Sequence, residues 1–326
     1  MNVEQPVRIR ERSEVRRRAG VLLGLSCGVG VSVQARINGD LGDRLHDGIA
    51  AALISFGSGL ILLLLAVCFS ARMRSGLAQI RRAVRTGPLH WWQLLGGFCG
   101  AFFVACQGLT VATIGVTALT IAVVAGQLSS GLVVDRWGLG PAGVTPVTPV
   151  RLGAAALAIG AVCLAALGRS GGSDTGGGAV YLLIALPALA GIGLAWQQAV
   201  NGRVAAVGGP LPATTINFAT GTFGLVLVQL VQLTRIGWPE EFPTEPWLYL
   251  GGLIGVFFIA VAALVVRWIG VLLFGLTSVS GQLVGSVVID VVVPSGAGLS
   301  AAVFIGCGLT LVAAAVAVLA QGRARA

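Results

Sequence analysis

The chain reads as an all-α integral membrane protein with ten transmembrane helices, arranged as two inverted five-helix repeats. Three observations predict this: a bilayer composition, apolar stretches whose flanking charge alternates, and a set of motifs that occurs twice. Hydrophobic residues make up 56% of the 326 residues and charged residues only 10%, where a soluble domain carries about 25% charged residues. Mean hydropathy is +0.92.

A spanning helix needs roughly 20 apolar residues. Ten stretches meet or approach that length: 19–38, 48–70, 92–111, 114–133, 150–168, 179–201, 211–234, 247–266, 269–289 and 298–320. They leave little room for a soluble domain. The net charge of +9 comes from 21 arginines and no lysine. Six arginines lie in residues 8–18, and Arg72, Arg74, Arg81, Arg82 and Arg85 follow the second stretch. Acids gather elsewhere, as Asp40, Asp43 and Asp47 and as Glu240, Glu241 and Glu245. Basic loops stay in the cytoplasm. Both termini are therefore expected inside, with 17 arginines inside and 4 outside (Arg36, Arg44, Arg169 and Arg235). Charge distributed in this way marks membrane topology, and no nucleic-acid partner is expected. With five spans in each half, an odd number, the second half must enter the membrane upside down.

The expected organisation is a basic cytoplasmic tail (1–18), a first repeat (19–168), a flexible outside linker RSGGSDTGGG (169–178), a second repeat (179–320) and a cytoplasmic tail (321–326). Residues 1–36 imitate a signal peptide. The same segment recurs at 179–202, however, where no signal peptidase acts, so the first span is read as retained. The six cysteines fall within spans, without CxxC spacing, and read as small packing residues.

The duplication is explicit. VGVSVQARING from Val29 answers IGLAWQQAVNG from Ile192, and ISFGSG from Ile54 answers INFATG from Ile216. WQLLGGFCGAFFVA from Trp92 answers WLYLGGLIGVFFIA from Trp247, and AGQLSSGLVVD from Ala125 answers SGQLVGSVVID from Ser280. The offsets are 163, 162, 155 and 155, so order is kept and one loop has shortened.

Polar groups inside hydrocarbon are costly unless partnered, which makes them the candidates for function. Gln34 and Asn38 share one helical face with Gly30, and Gly193, Gln197 and Asn201 repeat that stripe. Amides both donate and accept hydrogen bonds, which suits a polar, net-neutral molecule. The competing reading is glue between helices, at about 0.6 kcal/mol per bond. Gln127 and Gln282 are a second matched pair. Each is followed eight residues later by an acid, Asp135 and Asp290, readable either as gate or proton sites or as charges at helix ends. On the expected topology Gln34, Asn38, Ser55 and Gln282 lie in the outer half of the membrane, and Gln127, Gln197, Asn201 and Asn217 in the inner half. Trp196 is a candidate cavity wall. Gly96 with Gly100, and Gly251 with Gly255, read as close-packing devices, and Trp92 and Trp247 as interface anchors. The sequence holds no P-loop, no Rossmann glycine pattern, no His or Cys cluster and no mid-span charged residue. Neither an enzyme nor a cofactor or metal site is expected.

These motifs resemble the drug/metabolite transporter superfamily. GVGVSVQARING, WWQLLGGFCGAFFV and AGQLSSGLVVD are more closely similar to its YdcZ-like branch of inner-membrane exporters, and the chain looks like two such units fused. The likeness covers about 20–168 and 180–320. It implies a multi-pass protein of the bacterial inner membrane, with a central cavity formed by spans 1–4 and 6–9. Related small multidrug exporters use a glutamate in the first helix to exchange protons for cations. Here Gln34 and Gln197 stand in that stretch, so that mechanism does not carry over. The expected function is a secondary transporter that exports a small polar or amphipathic metabolite by alternating access. Its partners would be that small molecule and membrane lipid, with a homodimer left open. The rival readings are a membrane scaffold or accessory subunit, and a lipid-handling membrane protein.

Overall fold

A computed structural model of the chain describes residues 4–140, 143–144, 146–170, 177–237, 239, 241–294 and 299–325. Its helices are α1 (Glu4–Arg44), α2 (Gly48–Phe69), α3 (Ala71–Thr86), α4 (Gly96–Arg136), α5 (Pro149–Ser170), α6 (Gly177–Gly208), α7 (Pro210–Ile236), α8 (Gly251–Val292) and α9 (Ala301–Arg325). Short 3₁₀ turns, Trp91–Leu95 and Pro246–Tyr249, lead into α4 and α8 and carry Trp92 and Trp247. Among the described residues, six helices are long and apolar enough to cross a membrane, and α5 and α9 contain shorter apolar stretches.

α4 has 41 residues and α8 has 42. At 1.5 Å per residue each would extend about 60 Å if straight, twice the roughly 30 Å of hydrocarbon. α4 consists of two helical segments that meet at a kink at Gly115, beside the join expected near residue 112. Gly115 has φ 75° and ψ 165°, a conformation open to glycine because it has no Cβ.

Several boundaries differ from the sequence reading. The arginine-rich segment after α2, expected as a loop, is the helix α3. Ser70 caps its start through Met73 N–H, and Gly87 closes it at φ 96°. Met73, Gly76, Ile80 and Ala83 are its buried face; that spacing is helical, but the arginines between them mask it in an apolarity scan. Residues 4–18, expected as a tail, are the opening turns of α1. They are rich in Arg and Glu, both good helix formers, and Glu14 and Arg18 pair across one turn at 3.9 Å. α9 likewise continues past 320 to Arg325. Of the expected linker, Arg169 and Ser170 end α5 and Gly177 opens α6, while 171–176 and Glu240 lie outside the described residues.

The two halves interlock. α1 lies chiefly along α8, and α6 chiefly along α4. The crossings are made by glycines, at matching positions in the two pairs. A methyl group at Gly28 would overlap the backbone of Ser278, and one at Gly281 that of Leu25. In the other half, a methyl at Gly191 would overlap the backbone of Val123, and one at Gly126 that of Ala188. Where α2 crosses α7, the matched residues Phe56 and Phe218 stack with ring centroids 4.9 Å apart.

Candidate functional site

The repeated amide stripes do not face each other; each faces the glycines of the opposite half. Gln34 Nε2 donates to the Gly251 carbonyl at 2.8 Å. Asn38 Nδ2 donates to Gln107 Oε1 at 2.7 Å. A methyl at Gly255 would lie 2.9 Å from Gln34 Nε2, and one at Gly251 2.8 Å from Ser55 Oγ. On the other side, Gln197 Nε2 and Asn201 Nδ2 both donate to Asn217 Oδ1 at 2.9 Å. There a methyl at Gly96 would lie 2.8 Å from Asn201 Oδ1, and one at Gly100 2.7 Å from Gln197 Nε2. The pattern of two amides, a polar residue on the next helix and a GxxxG from the other half is therefore built twice. Gln34, Asn38, Ser55, Gln197 and Asn217 are all buried. Some of their capacity is unused: Asn38 Oδ1, Gln107 Nε2 and Gln197 Oε1 are buried without a hydrogen-bond partner.

Gln127 and Gln282 lie beside the glycine crossings and are half-buried. Ser32 Oγ donates to the Gln282 carbonyl at 2.7 Å. Trp196 is half-buried and stacks on Trp92, with centroids 6.3 Å apart.

The two acids end in different surroundings. Asp290 is buried, and its carboxylate accepts from Val116 N–H at 3.0 Å and Thr117 N–H at 2.8 Å. It thus caps the helical segment that restarts after Gly115, from across the molecule. Asp135 instead accepts from Arg151 Nη2 at 2.5 Å, and Arg151 also reaches the Pro146 carbonyl at 3.3 Å. Matched ends are tied in matched fashion by arginines. Arg36 of α1 donates to the Val293 carbonyl at 2.9 Å, and Arg203 of α6 to the Gly138 carbonyl at 2.5 Å. Both sites are just past a helix end, where cations are favoured.

Sequence reasoning missed two parts of this arrangement. Gln107 is fully buried on α4 and completes the Asn38 pair, but its counterpart position in the second half is Ala262. A search for repeated residues passes over it, whereas a search for any amide inside a span finds it. Asp47, read only as a loop acid, is buried: one oxygen caps α2 through Ile49 and Ala50 N–H, and the other accepts from Gln229 of α7 at 2.8 Å. Near it Arg44 pairs with Glu245 and holds that carboxyl below its ordinary range, chiefly by hydrogen bonding. One end of the bundle is thus acid-rich, with Asp47, Glu245 and Asp290. The other is basic, with α3, Arg136, Arg151 and Arg203.

A groove of about 530 Å³ opens between the end of α4 and α5, lined by Leu132, Val133, Arg136, Trp137, Leu152 and Ile159 among others. None of the expected site residues lines it. Among the described residues, no three His, Cys, Asp or Glu side chains gather as metal ligands would.

The profile of a family described as "Putative inner membrane exporter, YdcZ" matches the chain twice, at residues 19–164 and 182–318. The chain belongs to this family. It carries two copies of the family unit in tandem, and is a multi-pass inner-membrane protein of a family of transporters. No curated protein matches it. One solved crystal structure of a protein aligns over 95% of this chain and 99% of its own, at 19% identity and a TM-score of 0.50. That likeness bears on the fold alone.

Proposed function

We propose that this YdcZ-type protein is a secondary transporter that exports a small polar or amphipathic metabolite by alternating access between inverted repeats. In this reading α4 and α8 each supply two spans, giving ten, and both termini are cytoplasmic. The observation that carries it is the pair of matched interlocks: each amide stripe packs on the GxxxG of the opposite half, at positions that correspond residue by residue. Inverted repeats place two such equivalent interfaces on opposite sides of the membrane, and loosening one while keeping the other is the rocking that alternating access requires. Gln34, Asn38, Gln127, Trp196, Gln197, Asn201, Asn217 and Gln282 border the route, and Asp135 and Asp290 close its ends. The unused buried amide atoms at Asn38, Gln107 and Gln197 offer a polar substrate donors and acceptors once an interlock opens. The lipid-handling alternative calls for a polar groove facing lipid, and the groove beside α5 is almost wholly apolar.

The test is ligand-induced thermal stabilisation of the purified protein against a broad metabolite panel, beside Gln197→Ala and Gln127→Ala. A ligand at 100 times its Kd adds about 2.7 kcal/mol. A hit lost in the variants supports the route. Failure of every compound on well-folded protein, with a co-purifying partner, supports the scaffold reading.

A further inference from the structure

α3 has two faces with different surroundings. Its segment, 71–86, carries five arginines and no acid. Met73, Gly76, Ile80 and Ala83 turn inward, while Arg72, Arg74, Arg81, Arg82 and Arg85 are exposed. The inward face is occupied by protein. A methyl at Gly76 would overlap the Gly208 carbonyl oxygen, and one at Gly208 would overlap Ile80. Gly208 is the last residue of α6, at the elbow where the chain turns into α7, so α3 cannot roll its apolar face into lipid.

Arg74 turns back and donates to the Val67 and Cys68 carbonyls at 3.0 and 2.7 Å, closing the end of α2. The side chains of Arg72, Arg81, Arg82 and Arg85 have no hydrogen bond or ion pair among the described residues. Arg81, Arg82 and Arg85 lie within about 6 Å along the helix axis. α3 begins directly after the exposed Phe69 at the end of the apolar helix α2, which places it at the level of lipid headgroups. The stretch of the second half between α7 and the second 3₁₀ turn, 237–245, has no described helix and is acidic. The cationic platform therefore belongs to one half of the chain only.

We propose that α3 is a binding site for anionic phospholipid headgroups, with Arg81, Arg82 and Arg85 holding the phosphate, and that the bound lipid braces the α6–α7 elbow. Guanidinium groups match phosphate oxygens in paired hydrogen bonds. A basic helix at an anionic surface gains attraction from each cation and loses it with salt. The source of phosphate is the bilayer, because α3 lies at its edge. The site does not depend on substrate identity or on which face of the membrane carries α3.

The experiment is performed on the full chain in detergent, titrated with dioleoyl phosphatidylglycerol, dioleoyl phosphatidylcholine or inorganic phosphate. Phosphatidylglycerol is expected to raise Tm by roughly 3 °C or more, with little effect from the other two. Arg81→Gln/Arg82→Gln/Arg85→Gln should lose most of that rise, and the triple lysine variant should keep it. Hydrogen exchange across residues 205–212 should slow with phosphatidylglycerol in the wild type and not in the glutamine variant. Equal shifts with phosphatidylcholine, a rise preserved in the glutamine variant, or a response to inorganic phosphate alone would overturn the site. Unchanged exchange at the elbow would overturn the bracing.

Discussion

At Asp290 a carboxylate meets two backbone N–H groups at a helix start, where aligned peptide dipoles present roughly half a positive charge. Removing it leaves Val116 and Thr117 N–H buried without a partner, at about 1–3 kcal/mol each. Asp290→Ala is therefore expected to lower stability by about 2–6 kcal/mol, read as a fall in Tm. Asp290→Asn keeps one of the two accepting oxygens and turns its NH2 donor toward the other N–H, so its loss should be about half that of the alanine variant, about 1–3 kcal/mol. This pair of variants also separates two roles. If Asp290 only caps, the Asn variant transports normally once a substrate is in hand; if it gates or carries a proton, the Asn variant folds and fails to transport. Gly115→Ala combines a positive φ with extended ψ, a region essentially confined to glycine and costing about 1–3 kcal/mol, with a methyl 2.8 Å from the Asp290 carboxylate, and should be as damaging as Asp290→Ala. Glu245 shows the pH sign. Arg44 lowers its folded pKa below the ordinary 4.5, so its small contribution is complete above that value and lost as pH falls through the lowered pKa. Arg44→Gln should flatten the acid limb of a Tm–pH profile and leave neutral pH little changed. At this scale the repeated amides were legible because they occur twice. Asp47 was not, because nothing local distinguishes a buried loop acid from a solvated one.

Helices in this protein meet through backbone contact, and the glycines divide accordingly. Gly28 and Gly191 sit where a methyl would overlap the backbone of a crossing helix, while a methyl at Gly57 or Gly131 would meet nothing within 4 Å. Backbone cannot swing aside as a flexible side chain can. Gly28→Ala and Gly191→Ala should thus force the helices apart and lower Tm strongly, whereas Gly57→Ala and Gly131→Ala should hold or raise it, since alanine is the better helix former by about 1 kcal/mol. Comparable losses at all four positions would show that close crossing is not what these glycines supply. Element boundaries were less legible than these contacts. An apolarity scan found every membrane-length stretch but not α3, whose inward Met73, Gly76, Ile80 and Ala83 are diluted by arginine. The join it placed near 112 does lie beside a break, the kink at Gly115.

For the whole molecule, the decisive property is the relative orientation of the halves. Thr86, at the end of α3, and Glu241, in the stretch before α8, occupy corresponding positions at the offset of 155. If the repeats are inverted the two lie on opposite faces of the membrane; if they are parallel, on the same face. Their surroundings already differ: α3 rests on the α6–α7 elbow at the basic end, while Arg44 and Glu245 pair at the acidic end. Basic segments are retained in the cytoplasm, so the basic end should be the inner one. In a background with all six cysteines replaced, Glu241→Cys in intact cells should react with a membrane-impermeant maleimide, and Thr86→Cys only after the membrane is opened. Labelling of both from the same side would remove the inverted arrangement, and alternating access between inverted repeats with it. The reverse labelling would keep the inversion and turn the molecule over. This expected orientation is written in the charge distribution along the chain, because every turn between spans adds an independent vote. The packing of the halves is a different matter: Gln34 meets Gly251, Asn38 meets Gln107, and Gln197 and Asn201 meet the Gly96–Gly100 pair, contacts between distant parts of the chain that are set only by the fold.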